Sequence, residues 1–320
     1  MTQIGHFVAP SRRPGVLGVH SLDHFALGVP DLAVAQRYYA AFGLDLREDG
    51  AALHIHCHDQ PHRWGALREA PRKALQYLSF GIFADDLACF DAHLAQCGIA
   101  RLDPPPGVPS NGFWFCDPDG TLVELKVAEK SSPSAKSSAS LESAAPNRRG
   151  APIRGQAAPV RPRRMAHVLL FARDVPAMVG FYTRVLGLRL SDEAAGVIAF
   201  LHGVHGSDHH MIAFAQSDGP GFHHCSWDVG SIHEIGLGAM QMADRGFSAG
   251  WGLGRHVLGS NYFHYVRDPW GSYAEYSCDI DYVPAERDWE SGSHGIENSF
   301  YLWGPEPPPD FAINHEIAGP

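Results

Sequence analysis

At 320 residues, 45% of them hydrophobic, the chain is long enough for two cored domains. Its formal net charge of −10 argues against nucleic acid or an anionic membrane surface as a partner. No apolar run reaches bilayer length, the opening MTQIGHFVAPSRRPG lacks the apolar core of a secretory signal, and the six cysteines form no CxxC pair, so a cytoplasmic protein with reduced thiols is expected.

Past an N-terminal extension (1–19), DHFALGVPDLAVAQRYYAAFGLDL from Asp23 spells an apolar strand, a helix and a second strand. Asp31 is placed to cap the start of that helix and Gly43 its end. HIHCHDQPH (54–62) follows, and alternation puts His54, His56 and His58 on one strand face. With no second ligand group in view, this reads as a solvated or interface strand rather than a metal site. DDLACFDAHLAQCG supplies another helix, and FCDPDGTLVEL closes the half with a DPxG turn and a strand carrying Glu124. From 129 to 164 the chain turns to Ser, Ala, Pro and Arg, with little to bury, and reads as a linker.

The second half repeats the layout of the first. AHVLLFARDVPAMVGFYTRVLGLRL from Ala166 places His167 fifteen residues before Tyr182, as His24 stands fifteen before Tyr39. Asp174 and Gly187 are its helix caps, and Met178, Val179, Tyr182, Val185 and Leu186 form one apolar face. SIHEIGLGAMQMADRG is the next helix. VRDPWGSYAEY then aligns Asp268, Gly271 and Glu275 with Asp117, Gly120 and Glu124. Each half is therefore expected to be a duplicated α+β unit with curved sheets. Between these ends lies GPGFHHCSWDVG (219–230), where strict alternation lets only one of His223 and His224 face a given site.

His167, a histidine of that pair and Glu275 come from three separate strands. Two imidazoles and one carboxylate suit a facial triad with open coordination positions, as in non-haem Fe(II) enzymes. The aligned positions of the first half are His24, Tyr77 and Glu124, so the middle ligand is missing there and that copy is expected to be silent.

These stretches, with SDHHMIAF, FHHCSWDV and GRHVLGSNYFHYVRDPWGSYAEY, resemble the extradiol ring-cleaving dioxygenases of the vicinal oxygen chelate superfamily over residues 20–128 and 164–283. The resemblance implies a two-domain α+β fold of paired βαβββ modules: a non-catalytic domain at 20–128, a linker at 129–164, a catalytic metal-binding domain at 165–283 and a C-terminal tail at 284–320. It makes His224 the second metal ligand beside His167 and Glu275, with Fe(II) as cofactor and Mn(II) acceptable to the same ligands. It also implies catalytic roles for His210, fourteen residues before His224, and for His256 and Tyr265, nineteen and ten before Glu275. His256 and Tyr265 would hold the substrate oxygens, and His210, not a ligand, would act as an acid.

The implied substrates are O2 and a catecholic or hydroquinol-type ring, cleaved by extradiol chemistry in aromatic-compound degradation, with a homo-oligomer as the expected assembly. Leu169, Phe200 and His202 are expected to line the substrate pocket with His256 and Tyr265, and the apolar Leu169 suits an uncharged ring. Arg255 reads as structural, though its place beside His256 leaves it free to turn inward. The aromatic, Pro-rich tail is expected over the pocket mouth or in a subunit contact. Two other readings stay open: another metalloenzyme of the superfamily, glyoxalase-like or a thiol transferase, and a metal-free binding protein.

Overall fold

The structure, a computed structural model, describes residues 10–140, 144–194 and 196–317. The first nine residues of the N-terminal extension, and 141–143 within the linker, lie outside the described residues.

Each half is built around one mixed sheet. The first has seven strands, in the order Asp45–Asp49, Ala52–His56, Arg63–Glu69, Ser21–Val29, Ala74–Ile82, Leu122–Val127 and Phe113–Cys116. The second has ten, in the order Gly292–Ser293, Arg189–Ala194, Ile198–His202, Ile212–Gln216, Arg164–Ala172, Gly221–Asp228, Tyr273–Cys278, Tyr262–Arg267, Gly250–His256 and Tyr301–Trp303. In both, two βαβββ modules meet through their first strands, which pair antiparallel, while each module's last strand runs parallel to its first. The expected duplication is therefore fourfold at the level of modules. One module falls short: DPPPGVPS (103–110) stands where a strand would, and its prolines donate no ladder hydrogen bonds, leaving only a bridge from Leu102 to Trp114.

The caps read from sequence are in place. Asp31 accepts from the Val34 amide and Asp174 from the Ala177 amide. Gly43 and Gly187 follow the helices at φ +96° and +72°, where a Cβ would be strained. The same two helices lock the halves together. Phe42 stacks on Tyr276 with ring centroids 3.8 Å apart, and the Tyr38 hydroxyl donates to the Val266 carbonyl. Reciprocally, the Tyr182 hydroxyl from the second half donates to Asp117 in the first. These rings are fully buried, so the core runs through both halves without interruption.

Residues 129–164 carry no α-helix or strand before Arg164 among the described residues, yet they are not a free spacer. Val160 is buried in the core, and Arg163 and Arg164 pair with Asp228 and Asp208. His58, expected on a strand face with His54 and His56, falls in the turn beyond a strand that ends at His56.

The tail crosses the second sheet and returns to both halves. Tyr301–Trp303 adds an edge strand to Gly250–His256. At its far end the half-buried Glu316 carboxylate accepts from the buried Lys73 Nζ at 2.7 Å, the Phe222 amide at 3.0 Å and the Leu75 amide at 3.1 Å. Removing one partner of a buried ion pair strands the other charge. Glu316→Ala should therefore cost about 3–5 kcal/mol in a urea unfolding experiment. A loss under about 1 kcal/mol, the value of a surface pair, would show that this anchor does not hold the tail.

Candidate metal centre and substrate cavity

Three neighbouring strands carry the candidate ligands, and the register puts them in one row. Ser226 stands opposite His167 on one side and opposite Glu275 on the other, and His224 lies two residues along on the same strand. The small Ser226 leaves room above the sheet for the three longer side chains. Their ligand atoms lie within 4.8 Å of one another, all on buried residues. His167 Nε2 is 3.2 Å from His224 Nε2 and 3.3 Å from Glu275 Oε2, and His224 Nε2 is 3.6 Å from that oxygen.

His223 sets the protonation of His224. Its Nε2 lies 2.8 Å from the Phe311 carbonyl, which can only accept, so the proton is on Nε2. His223 Nδ1 must then accept, and its partner at 2.7 Å, His224 Nδ1, must donate. His224 Nε2 is left as a bare lone pair aimed at His167 and Glu275. Burial, then the neighbouring His223 and His167, hold the His224 pKa well below its usual value, which keeps it neutral. Strict alternation failed here for a physical reason. A bulge between Phe222 and His224 sets the extra residue against the partner strand, so both histidines sit side by side and buried.

Glu275 is held asymmetrically. Oε1 accepts from Asn261 Nδ2 at 3.1 Å, while the buried Oε2 has no hydrogen-bond partner and faces the two imidazoles. A proton on His167 Nε2 could serve one of its two neighbours at a time. A divalent cation would serve all three donors, so the set fits a metal of the Fe(II) or Mn(II) kind, with two nitrogens and one oxygen. Sequence patterns did not single out Asn261 or the role of His223. Their signals are spacing to the ligands alone.

A cavity of about 220 Å³ opens on this cluster. His167, His224, His210, His256 and Tyr265 stand in its wall, with Leu169, Phe171, Ile198, Phe200 and Phe311 among its apolar lining. The tail contributes Ile296, Phe300, Phe311 and Ala312, so it forms one side of the cavity. His202 does not reach it. Its Nδ1 bonds Ser191 Oγ, which also bonds the His209 carbonyl, and this pulls the ring behind His209 into a separate surface pocket. Arg255 turns away as well, onto the Tyr262 hydroxyl and the Ser260 carbonyl. Among the described residues, no lysine or arginine lines the cavity.

His256 is oriented by the same rule as His223. Its Nδ1 lies 2.8 Å from the Phe300 carbonyl and so carries the proton, leaving Nε2 to accept from the Tyr265 hydroxyl at 2.9 Å. Burial lowers the His256 pKa and raises that of Tyr265 well above the usual phenol value, so a neutral base stands beside a protonated phenol. His210 lies against His167 with ring centroids 4.0 Å apart, and burial, then His167, holds its pKa well below normal.

The first half repeats the row with different contents. His24, Ser79 and Glu124 stand in the same register as His167, Ser226 and Glu275. There Tyr77 takes the place of His224, and its hydroxyl lies 3.2 Å from His24 Nε2. Arg63 Nη2 is 3.0 Å from the same nitrogen, and Ser79 and Ser110 hold Glu124. A guanidinium thus faces the His24 nitrogen that corresponds to the ligand nitrogen of His167.

The Glyoxalase/Bleomycin resistance protein/Dioxygenase superfamily model matches residues 21–125 and 164–276. A protein named metapyrocatechase 2, from Cupriavidus necator, is 50% identical over 308 residues, covering 96% of this chain and 96% of its own length. Among solved structures, the 2,3-dioxygenase LapB from Pseudomonas sp. KL28 superposes with a TM-score of 0.69 at 21% identity, over 87% of this chain and 99% of its own. A Mn(II)-bound glyoxalase from Novosphingobium aromaticivorans gives 0.69 at 23% identity, over 90% and 93%. Likeness at that identity speaks for the fold.

Ligand-orienting partners of this type change metal affinity about 10- to 100-fold. His223→Phe, which removes the acceptor for His224 Nδ1–H, should weaken metal binding by that amount in an anaerobic titration. Unchanged affinity would mean that His224 needs no such partner.

Proposed function

The chain belongs to the Glyoxalase/Bleomycin resistance protein/Dioxygenase superfamily, and from that membership we infer that it is an extradiol ring-cleaving dioxygenase acting on catecholic rings with O2. One observation carries the reading: a His, His, Glu donor set and three further polar side chains, His210, His256 and Tyr265, converge on a single apolar cavity. The curated relative is named a metapyrocatechase, that is, a catechol 2,3-dioxygenase. A glyoxalase-like or thiol-transferring enzyme has no evident use for those three side chains, and a metal-free binding protein has none for the donor set.

In this reading His167, His224 and Glu275 hold the metal, which we take to be Fe(II), with Mn(II) acceptable to the same donors. Bound there, it would polarise the catechol oxygens as a Lewis acid and supply a path for electrons between ring and O2. The protein's own groups handle the protons. His256 Nε2, a bare base once the Tyr265 hydroxyl swings from it, takes a phenolic proton, and its own Nδ1–H stays on the Phe300 carbonyl. Tyr265 then donates to the oxygen left anionic. His210 stands across the cavity beside His167, placed to act on oxygen as an acid–base group. Leu169, Phe171, Phe200 and Phe311 keep water from the ring. The six free cysteines suit a cytoplasmic setting, and the exposed Leu302 and Trp303 on the outermost strand suit a homo-oligomer.

His167→Ala, His224→Ala and Glu275→Ala should each abolish turnover of catechol, read by the yellow ring-opened product and oxygen uptake, and should lower bound iron. Full iron occupancy in any one of them would remove that residue from the ligand set. His24→Ala and Glu124→Ala should keep their iron, since Arg63 already satisfies His24. Metal loss on changing either would show that the first half is not silent.

The cavity wall also sets a substrate preference. An apolar wall without a cation cannot compensate the desolvation of a carboxylate. kcat/KM for an alkyl- or aryl-catechol should exceed that for protocatechuate by about tenfold or more, a difference of ~1.4 kcal/mol in the transition state. A ratio favouring the carboxylated ring would mean that an arginine reaches the cavity.

A further inference from the structure

A second cavity, of about 300 Å³, lies beside the catalytic one and shares none of its lining residues. That volume is at the low end of the range for small-molecule sites, about 300–1,000 Å³. Its wall brings together three arginines, Arg13, Arg189 and Arg287, in a chain whose formal net charge is −10. Asp288 neutralises one of them, with its carboxylate 2.5 Å from Arg13 Nη1. Arg189 Nη1 donates to the Gly187 and Leu188 carbonyls, which carry no charge. Among the described residues neither Arg189 nor Arg287 enters an ion pair, so two guanidinium charges remain for an occupant.

His202 supplies a different group to the same wall. Ser191 Oγ gives its proton to the His209 carbonyl, so it can only accept from His202, and the His202 proton is on Nδ1. His202 Nε2 is left as a lone pair with no hydrogen-bond partner among the described residues, on a residue that is 4% exposed. Burial holds the His202 pKa down to about 4, which keeps the ring neutral and that lone pair available. Two free guanidiniums call for an anion, and a bare imidazole nitrogen calls for a hydrogen-bond donor. A fully ionised inorganic anion or a simple carboxylate meets the first demand and not the second. A carboxylate that also carries a hydroxyl meets both, and Leu190 and Trp289 offer apolar surface to its carbon skeleton.

We propose that this cavity binds a small hydroxycarboxylate, its carboxylate on Arg189 and Arg287 and its hydroxyl on His202 Nε2, and that the occupant is the protein's own ring-opened product. The ligand class rests on the cavity alone, and only the product assignment rests on the dioxygenase reading. Extradiol cleavage breaks the bond between a hydroxylated ring carbon and its unhydroxylated neighbour and adds one oxygen atom of O2 to each. The hydroxylated carbon becomes a carboxylate, the neighbour an aldehyde, and the second hydroxyl stays on the carbon beside the carboxylate. A neutral catechol thus leaves as the anion of a 2-hydroxy acid. The strand Ile198–His202 contributes to both cavities, Phe200 to the catalytic one and His202 to this one. An anion expelled from an apolar wall therefore finds a cationic wall on the same strand.

Calorimetric titration with 2-hydroxyhexanoate tests the site on the iron-loaded protein and on His224→Ala, which lacks a metal ligand. Both should bind it. Hexanoate, without the hydroxyl, and 1,2-hexanediol, without the charge, should each bind at least about tenfold more weakly. Arg287→Ala and His202→Leu should each weaken binding of 2-hydroxyhexanoate by about tenfold or more. Arg287 is exposed, and its variant should keep the kcat and KM of the unaltered protein for catechol. The yellow product of catechol turnover, added to His224→Ala, should displace 2-hydroxyhexanoate. No binding to either protein, binding that needs His224, or binding unchanged in both Arg287→Ala and His202→Leu would overturn the site. If His202→Leu does not fold, Arg287→Ala and the hexanoate comparison carry the test. Hexanoate bound as tightly as the hydroxy acid would overturn the ligand class. Failure of the yellow product to displace 2-hydroxyhexanoate would overturn the product assignment. Absence of catechol turnover with 2-hydroxyhexanoate binding intact would instead sink the dioxygenase reading and leave the hydroxycarboxylate site standing.

Discussion

Two imidazole nitrogens and a carboxylate oxygen, all buried and within 4.8 Å, face one another with too few protons to satisfy them all. A cation between them relieves the conflict, and much of the structure serves to hold them ready for one. The central strands supply the row through Ser226, the bulge at His223 brings in a partner that keeps His224 Nε2 bare, and Asn261 takes the other oxygen of Glu275. The tail provides the Phe311 and Phe300 carbonyls that fix the tautomers of His223 and His256. Glu316 binds the end of that tail to Lys73 and to the amide of Phe222, one residue from His223. Tail, cavity wall and ligand orientation are thus one mechanical unit.

The duplicated half shows what the same row becomes without that constraint. His24, Ser79 and Glu124 keep the register, yet Tyr77 and Arg63 supply the donors that His24 needs, and two serines supply those of Glu124. His24 Nε2 and both Glu124 oxygens there each have a donor. The half is left to packing, and it does that through Phe42 on Tyr276 and Asp117 under Tyr182. One copy trades ligation for hydrogen bonding while the fold that presents either choice stays the same.

Much of this was legible in the sequence, because repeats, caps and turns are local. The Asp31 and Asp174 caps and the DPxG turns follow from spacing within short stretches, whereas the choice of His224 beside His167 and Glu275 came from the family resemblance. What was not legible depends on contacts far apart in sequence. His202 was expected in the cavity wall with Phe200, but Ser191 draws it away. His223 was expected to face away from His224, and a single extra residue in the ladder put them together. The backbone acceptors of the tail have no sequence signature at all, since any residue offers a carbonyl. The linker composition suggested a loose tether, and Val160, Arg163 and Arg164 bind it down with three specific contacts.

The proposed metal ion sits between His167 Nε2, His224 Nε2 and Glu275 Oε2, an oxygen without a hydrogen-bond partner. Anomalous diffraction at the iron edge, from crystals loaded with Fe(II) under anaerobic conditions, tests it most directly. A single strong peak is expected, bounded by His167 Nε2, His224 Nε2 and Glu275 Oε2. A peak in the first half beside His24, or at His54 and His56, with none between those three atoms, would contradict it.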